Sequence, residues 1–130
     1  MKKKASPTEE NYLKALLSLA NDKNEVTVSD LSQALNVSNP TTNSMVKRLS
    51  EKEWVDYKKY RPIRITLKGM ELAASIIRKH RLTEMYLVEK MGFGWEEVHE
   101  IAEQIEHIHS PGFFNRMDEI LGSPITDPHG

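Results

Sequence analysis

The chain has 130 residues, of which 38% are hydrophobic, so it can bury one modest core or two small ones that share a helix. It has no cysteine, which excludes disulfides and thiolate zinc sites, and no apolar run or leader-like segment, so we expect a cytoplasmic location without membrane insertion. The net charge of −1 hides a division, because residues 1–70 carry 13 Lys and Arg against 8 Asp and Glu (net +5), whereas residues 71–130 carry 5 against 11 (net −6). A basic half suits a polyanion, and an acidic half suits cations.

The N-terminal part predicts three short helices. Ser6 supplies a capping hydroxyl before a helix that ends near Asn21, and Thr27 opens a second. After a tight break, Pro40 stands at the start of a third helix, which runs to about Glu53. Two short helices joined by a few residues, the second with small polar side chains on its free face, favour a helix-turn-helix. The residues predicted to be buried by the second helix are Leu31, Ala34 and Leu35.

A hairpin is predicted next. Apolar and polar residues alternate over 54–58 and 63–66, on either side of a basic tip at 59–62. This pattern is typical of the wing of a winged helix; a three-helix bundle with a structural hairpin is the alternative. The winged helix is favoured because basic residues concentrate on the third helix and the hairpin. They are Lys47, Arg48, Lys52, Lys58, Lys59, Arg61 and Arg64.

The C-terminal part predicts helices only. A long helix from Leu67 stops at Gly92, another runs from Trp95 to about His109, and a short one covers 113–121 before an irregular tail at 123–130. The fold class is therefore mainly α with a small β-hairpin wing. We expect a winged helix-turn-helix DNA-binding domain at 1–72 and an all-helical domain at 73–130.

Histidines and carboxylates cluster in the acidic half. On the helix predicted from Trp95, two His and two Glu fall within an arc of about 100°, opposite an apolar face to which His109 belongs. A His/Glu pair spaced i,i+4 on the preceding helix could face them. The two groups are His99, Glu103, Glu106 and His107, and His80 with Glu84.

Imidazole and carboxylate without thiolate suit Mn²⁺, Fe²⁺, Co²⁺, Ni²⁺ and Zn²⁺. The alternative is a solvated or ion-paired helix face. No nucleophile accompanies the set, so a hydrolytic centre is not favoured and an enzyme is not expected. The segment 92–94 lacks the other residues of a phosphate-binding loop motif, and we interpret it as the end of a helix.

Several segments together carry a resemblance to a known family. They are 8–13 (TEENYL), 37–41 (VSNPT), 65–69 (ITLKG), 78–84 (RKHRLTE) and 103–107 (EQIEH). Over nearly its whole length the chain resembles the metal-dependent repressors that include the diphtheria toxin repressor, the iron-dependent regulator and the manganese transport regulator.

The resemblance implies a homodimer in which metal binding favours a DNA-competent spacing of two winged helices. It implies a transcriptional regulator, a repressor of metal-uptake genes, that is controlled by Mn²⁺ or Fe²⁺, with Zn²⁺, Co²⁺ or Ni²⁺ able to occupy its sites in vitro. The expected partner is a pseudo-palindromic double-stranded operator. The alternative is a winged-helix regulator with a small organic effector and a purely structural His/Glu cluster.

The resemblance also implies ligand sets. His80, Glu84 and His99 would build one metal site, and a residue of the first helix would join the other ligands to build a second. Glu103 stands where iron-type relatives have cysteine and manganese-type relatives have glutamate, and a hard carboxylate favours Mn²⁺ over softer ions. The first helix departs from the family at Asn11 and Lys14, which stand where manganese-type relatives have acids. The ligands implied for the second site are Glu103, Glu106 and His107.

For DNA, the resemblance places the start of the third helix in the major groove and basic residues on phosphates. Relatives have a longer amide side chain at the position of Ser44, so no operator sequence carries over. The residues expected in the groove are Asn39, Pro40, Thr41, Thr42, Asn43 and Ser44. The residues expected on phosphates are Lys47, Arg48, Lys58, Lys59 and Arg61.

Overall fold

The computed structural model describes residues 4–122, so the predicted tail and His129 lie outside the described residues. The chain divides into two compact units, whose described parts are residues 4–74 and 75–122. The predicted mainly helical class with a small wing is confirmed. The elements are α1 (Pro7–Leu19), β1 (Glu25–Val26), α2 (Val28–Leu35), α3 (Asn39–Glu51), β2 (Val55–Asp56), β3 (Ile63–Ile65), α4 (Leu67–Met91), α5 (Trp95–Ile105) and α6 (Pro111–Ile120).

Short hydroxyl side chains set the starts of the helices in the first unit. Ser6, Thr27 and Ser38 each accept a hydrogen bond from a backbone N–H in the first turn of α1, α2 and α3. Between α2 and α3, Asn36 adopts the left-handed conformation with φ of 56°, which ends α2 and allows the tight turn. The sequence therefore builds the helix-turn-helix from local capping signals.

The interior of the first unit differs from the prediction on α2. Ala34 is exposed, whereas Ser32 is buried and donates a hydrogen bond from its hydroxyl to Thr42 Oγ1, 2.7 Å away. Leu31, Ser32 and Leu35 lie at i, i+1 and i+4, so the inward face of this eight-residue helix excludes position 34. The fully buried apolar side chains of this unit include Leu13, Leu16, Leu31, Val46, Leu49 and Ile63.

The hairpin is part of a three-stranded antiparallel sheet in the order β1-β3-β2. Val55 pairs with Ile65, as the predicted hairpin requires, and Glu25 pairs with Arg64. The strand β1 was not predicted, because two residues are too few to show an alternating pattern. Ile63 and Ile65 are buried while Arg64 between them is exposed, so one face of the sheet covers the core.

The second unit has its own apolar cluster, built from Leu82, Phe114 and Met117. The helix α4 ends where Gly92 adopts a φ of 73°. The helix α5 ends at Ile105, four residues before the predicted end. Because Ser110 is extended to cap α6, residues 106–109 must turn the chain between the two helices. None of the helices within 4–122 combines the length and apolar character needed to span a bilayer.

Candidate metal centre and nucleic-acid interface

Three side chains of the second unit converge on one point. His80 and Glu84 lie one turn apart on α4, with Nε2 3.1 Å from Oε2, and His99 of α5 places Nδ1 3.4 Å from the same carboxylate oxygen. One donor atom from each residue lies within 4.8 Å of the other two. Ligands about 2.0–2.2 Å from a common ion must stand a few ångströms apart, so this triad fits a divalent cation. The half-exposed His99 leaves a path for an ion to enter.

A buried carboxylate contacts the other ring nitrogen of His80. Glu106 is fully buried, and its Oε1 lies 2.7 Å from Nδ1 of His80. In the neutral tautomer that donates from Nδ1–H to this carboxylate, Nε2 is the acceptor nitrogen, and Nε2 is the atom that faces Glu84. Glu106 therefore orients the His80 ring so that Nε2 faces Glu84.

The remaining predicted ligands extend the same chain of contacts. Glu103 Oε2 lies 3.6 Å from Nε2 of His99, and His107 Nε2 lies 3.5 Å from Oε2 of Glu106. Within residues 4–122, however, Glu103, Glu106 and His107 do not form a second compact triad of their own.

The prediction that two histidines and two glutamates share one face of a single helix is correct only in part. The residues His99 and Glu103 do lie on α5, but Glu106 is its C-terminal cap and His107 belongs to the turn that follows. The burial of Glu106 against His80 thus comes from the turn and could not be read from helical periodicity. His109, predicted on the apolar side of this helix, lies beyond its end and is exposed.

In the first unit, the exposed side of α3 and the hairpin border a groove of about 970 Å³. Its lining includes Asn39, Asn43 and Lys47 of α3, together with Lys59 and Arg61 of the hairpin tip. The groove therefore joins polar side chains to cations, as binding to a phosphate-bearing polymer requires.

The placement of the predicted DNA-binding residues contains one error. Thr42 is fully buried, with its hydroxyl bound to Ser32, so it cannot face DNA. Thr42 points inward because the buried face of α3 is formed by residues 42, 45, 46 and 49. The exposed members of the set are Asn39, Pro40, Thr41, Asn43, Ser44, Lys47, Arg48, Lys58, Lys59 and Arg61.

Two of the basic residues on α3 also bind a carboxylate of α1. Glu9 is buried and accepts hydrogen bonds from Lys52 Nζ at 2.8 Å and Arg48 at 3.2 Å. Burial alone would raise the pKa of Glu9, but the bonds from Lys52 and from the Ser6 backbone N–H, with the nearby Arg48 charge, lower the pKa below its ordinary value. The sequence pattern indicates only that an acid in the first turn of α1 stabilises the start of this helix. The ion pairs between Glu9 and α3 were therefore not predicted.

A winged helix-turn-helix joined to a helical unit with a His/Glu triad defines the class of this protein. The family described as the N-terminal DNA binding domain of the iron dependent repressor matches residues 4–63. The family described as its metal binding and dimerisation domain matches residues 66–130. The chain belongs to the iron-dependent repressor family, which confirms the resemblance noted in the sequence.

Curated relatives and solved structures agree with this assignment. The iron-dependent repressor IdeR of Mycobacterium tuberculosis is 33% identical over 95% of this chain and 54% of its own length. The HTH-type transcriptional regulator MntR of Geobacillus kaustophilus is 29% identical over 89% of this chain and 82% of its own length. The chain thus spans about half the length of the IdeR relatives it matches.

Among solved structures, a manganese-dependent transcriptional repressor in complex with manganese superimposes with a TM-score of 0.77 at 33% identity, covering 93% of this chain and 56% of that one. The structure of ScaR with bound Zn²⁺ gives a TM-score of 0.78 at 38% identity, covering 94% and 57%. Both are regulators, and both hold a divalent metal.

Proposed function

We propose that this protein is a metal-dependent transcriptional repressor, in which a divalent cation bound by His80, Glu84 and His99 promotes dimer binding to an operator. The triad on α4 and α5 is the observation that carries the proposal, because three donor atoms within 4.8 Å of one another form a ready ligand set. A bound cation supplies positive charge that offsets the acidic residues and links the two helices.

The ligand chemistry favours Mn²⁺ or Fe²⁺. The set is made of imidazoles and carboxylates, and Glu103 adds a further hard oxygen 3.6 Å from His99. Relatives named for iron and for manganese support the same pair of metals. Glu106 acts in this proposal through His80, whose ring it orients, while the second ligand set with His107 and the first helix stays a prediction.

The operator-binding surface is the groove between α3 and the hairpin. Asn39, Thr41, Asn43 and Ser44 are exposed at the start of α3, where a recognition helix contacts base edges. Basic side chains of the hairpin tip lie beside them and are placed to bind phosphates. A repressor that acts on chromosomal DNA would work in the cytoplasm, and the regulator names of the relatives support a regulator rather than an enzyme.

A second copy of the chain is the proposed partner of the second unit. Met91, Trp95, Ile108, Phe113 and Ile120 are large apolar residues that are 42–63% exposed there. Exposed apolar side chains in this number are typical of an interaction surface. The family match to a dimerisation domain over 66–130 supports this assignment.

The test is the fluorescence anisotropy of labelled duplex DNA from upstream of the protein's own gene. Protein stripped with EDTA is expected to bind weakly, and added Mn²⁺ or anaerobic Fe²⁺ should tighten binding. The variant Glu84→Gln should lower the metal affinity, measured by calorimetry, by more than about tenfold, because it removes the carboxylate shared by both histidines.

The matched control is Glu89→Gln, the same change on the exposed side of α4 five residues away. It should leave metal and DNA binding as in the wild type. Equal DNA binding with EDTA and with every metal would contradict the proposal. That result would instead support the alternative in which the His/Glu cluster is structural and the effector is a small organic molecule.

A further inference from the structure

A hydrogen bond joins the recognition helix to the wing inside the proposed DNA groove. Tyr57, the residue after β2, donates from its hydroxyl to Oδ1 of Asn43 on α3 at 3.1 Å. Both residues line the groove of about 970 Å³, and Asn43 is exposed. The contact therefore lies where a bound duplex would pass.

The direction of this bond determines what Asn43 can offer to a ligand. An amide side chain has one acceptor oxygen and an NH₂ group with two donors. The oxygen is engaged by Tyr57, and the amide makes no other hydrogen bond to any residue in 4–122. The NH₂ group keeps both of its donors available, whereas the oxygen already uses one of its two lone pairs, and the tyrosine bond restricts rotation of the amide plane.

The neighbours of Asn43 are poorer candidates for base reading. The Thr41 hydroxyl accepts a hydrogen bond from the hydroxyl of Ser38 at 2.9 Å, and Thr42 is buried. Ser44 is exposed but has only a short hydroxyl. Among residues 41–44, Asn43 is thus the one whose reach and orientation suit a contact with a base edge.

We propose, on the basis of the proposed function, that Asn43 reads a hydrogen-bond acceptor on a base in the major groove, with guanine preferred, and that Tyr57 is the positioning residue that orients it. Guanine presents two acceptors, N7 and O6, on its major-groove edge, whereas adenine presents one acceptor beside a donor. A fixed NH₂ group matches the guanine pattern. A free asparagine could turn its oxygen toward the adenine donor as well.

The experiment is selection of duplex DNA from a random-sequence library by the full-length protein in Mn²⁺, followed by sequencing. Asn43→Ala is expected to lose a guanine preference of about 10-fold at one position of each half-site. Tyr57→Phe, which removes only the hydroxyl, should lower the preference at that same position by about 3-fold. Metal affinity and the preference at other positions should not change in either variant.

Tyr60→Phe is the matched control. Tyr60 lies in the same hairpin and is 91% exposed, and its ring contacts Lys59 rather than Asn43. This variant should select the wild-type sequence. Thermal unfolding of all three variants should match that of the wild type, because Asn43 and Tyr60 are exposed and Tyr57→Phe keeps the ring that packs against the core.

Each failure has a distinct meaning. If Asn43→Ala loses no base preference, or if Tyr57→Phe keeps the full wild-type preference, this inference is overturned while the proposed function stands. If wild-type protein enriches no sequence in Mn²⁺ beyond that in EDTA, the proposed function fails and this inference fails with it.

Discussion

Glu9 is a buried charge that serves two parts of the first unit at once. Its backbone N–H donates to Ser6, its carboxylate accepts from the Ser6 N–H at 2.9 Å, and the same carboxylate binds Lys52 and Arg48 of α3. Losing a partner of a buried charged group costs more than losing an exposed ion pair. Glu9 therefore fixes the start of α1 against the recognition helix.

We expect Glu9→Gln to lower the free energy of unfolding at pH 7 by about 1–3 kcal/mol, because a neutral amide binds two cations weakly. The folded-state pKa of Glu9 is lowered, so its contribution is fully present above the unfolded-state pKa and is lost as the pH falls through the lower folded value. The difference between wild type and variant should thus shrink below about pH 4. Urea unfolding between pH 7 and pH 3 measures it.

The control for this change is Glu51→Gln, which removes an exposed carboxylate on α3. It should alter stability by no more than about 0.5 kcal/mol at any pH in the range. A Glu9→Gln difference that stays constant down to pH 3 would show that the carboxylate charge is not what holds α3.

At the residue scale, the sequence predicted side-chain chemistry better than side-chain placement. His80, Glu84 and His99 were expected to meet, and the structure brings them together because i,i+4 spacing puts two of them on one face of α4. Thr42 was misplaced and Glu106 was placed on the wrong element. In both cases burial by a neighbouring element decided the outcome, and a single segment carries no signal of its neighbours.

Among the elements, the start of α4 shows how closely a helix can approach a strand. A Cβ built on Gly69 would stand 2.1 Å from the backbone oxygen of Trp54 and 3.0 Å from the side chain of Ile65. Thr66 also donates its backbone N–H to the same Trp54 oxygen at 3.1 Å. Glycine is therefore required at position 69 by packing, not by its φ angle.

Gly69→Ala should lower the free energy of unfolding by about 1–3 kcal/mol, because the backbone of Trp54 must move to admit the methyl group. Helix propensity alone predicts the opposite sign, a gain of up to about 1 kcal/mol. Gly112→Ala on α6 is the control, because its added Cβ meets nothing within 4 Å. Chemical denaturation of both variants measures the difference, and a stabilised Gly69→Ala protein would refute the packing argument.

The elements themselves were predictable where local signals exist. Hydroxyl caps at Ser6 and Thr27, the proline at position 40 and the turn at Gly92 marked helix boundaries to within a few residues. The strand β1 and the end of α5 were not predicted, for different reasons. β1 exists only because Glu25 and Val26 find a partner in β3, and α5 ends early because the chain must turn before the Ser110 cap.

At the scale of the whole molecule, charge and chemistry divide along the chain. The basic half contains α3 and the wing, and the acidic half contains the histidine and carboxylate cluster. This division was visible in the sequence because it needs no knowledge of contacts. It indicates one part of the protein for a polyanion and the other for a cation, as the proposed function requires.

The charge division also predicts how DNA binding depends on salt. Each phosphate contact that a cation makes releases counterions, so the logarithm of the binding constant falls with the logarithm of salt concentration by about 0.9 per contact. Lys59→Ala removes one contact from each chain of a dimer, and the slope should become less negative by about 1.8.

Lys90→Ala is the control, because it removes the same charge from the last turn of α4, in the acidic half, and should leave the slope unchanged. Anisotropy titrations at four salt concentrations in Mn²⁺ give both slopes. Equal changes in the two variants would mean that binding responds to total charge, and the wing would then lose its assigned role as the phosphate-binding surface.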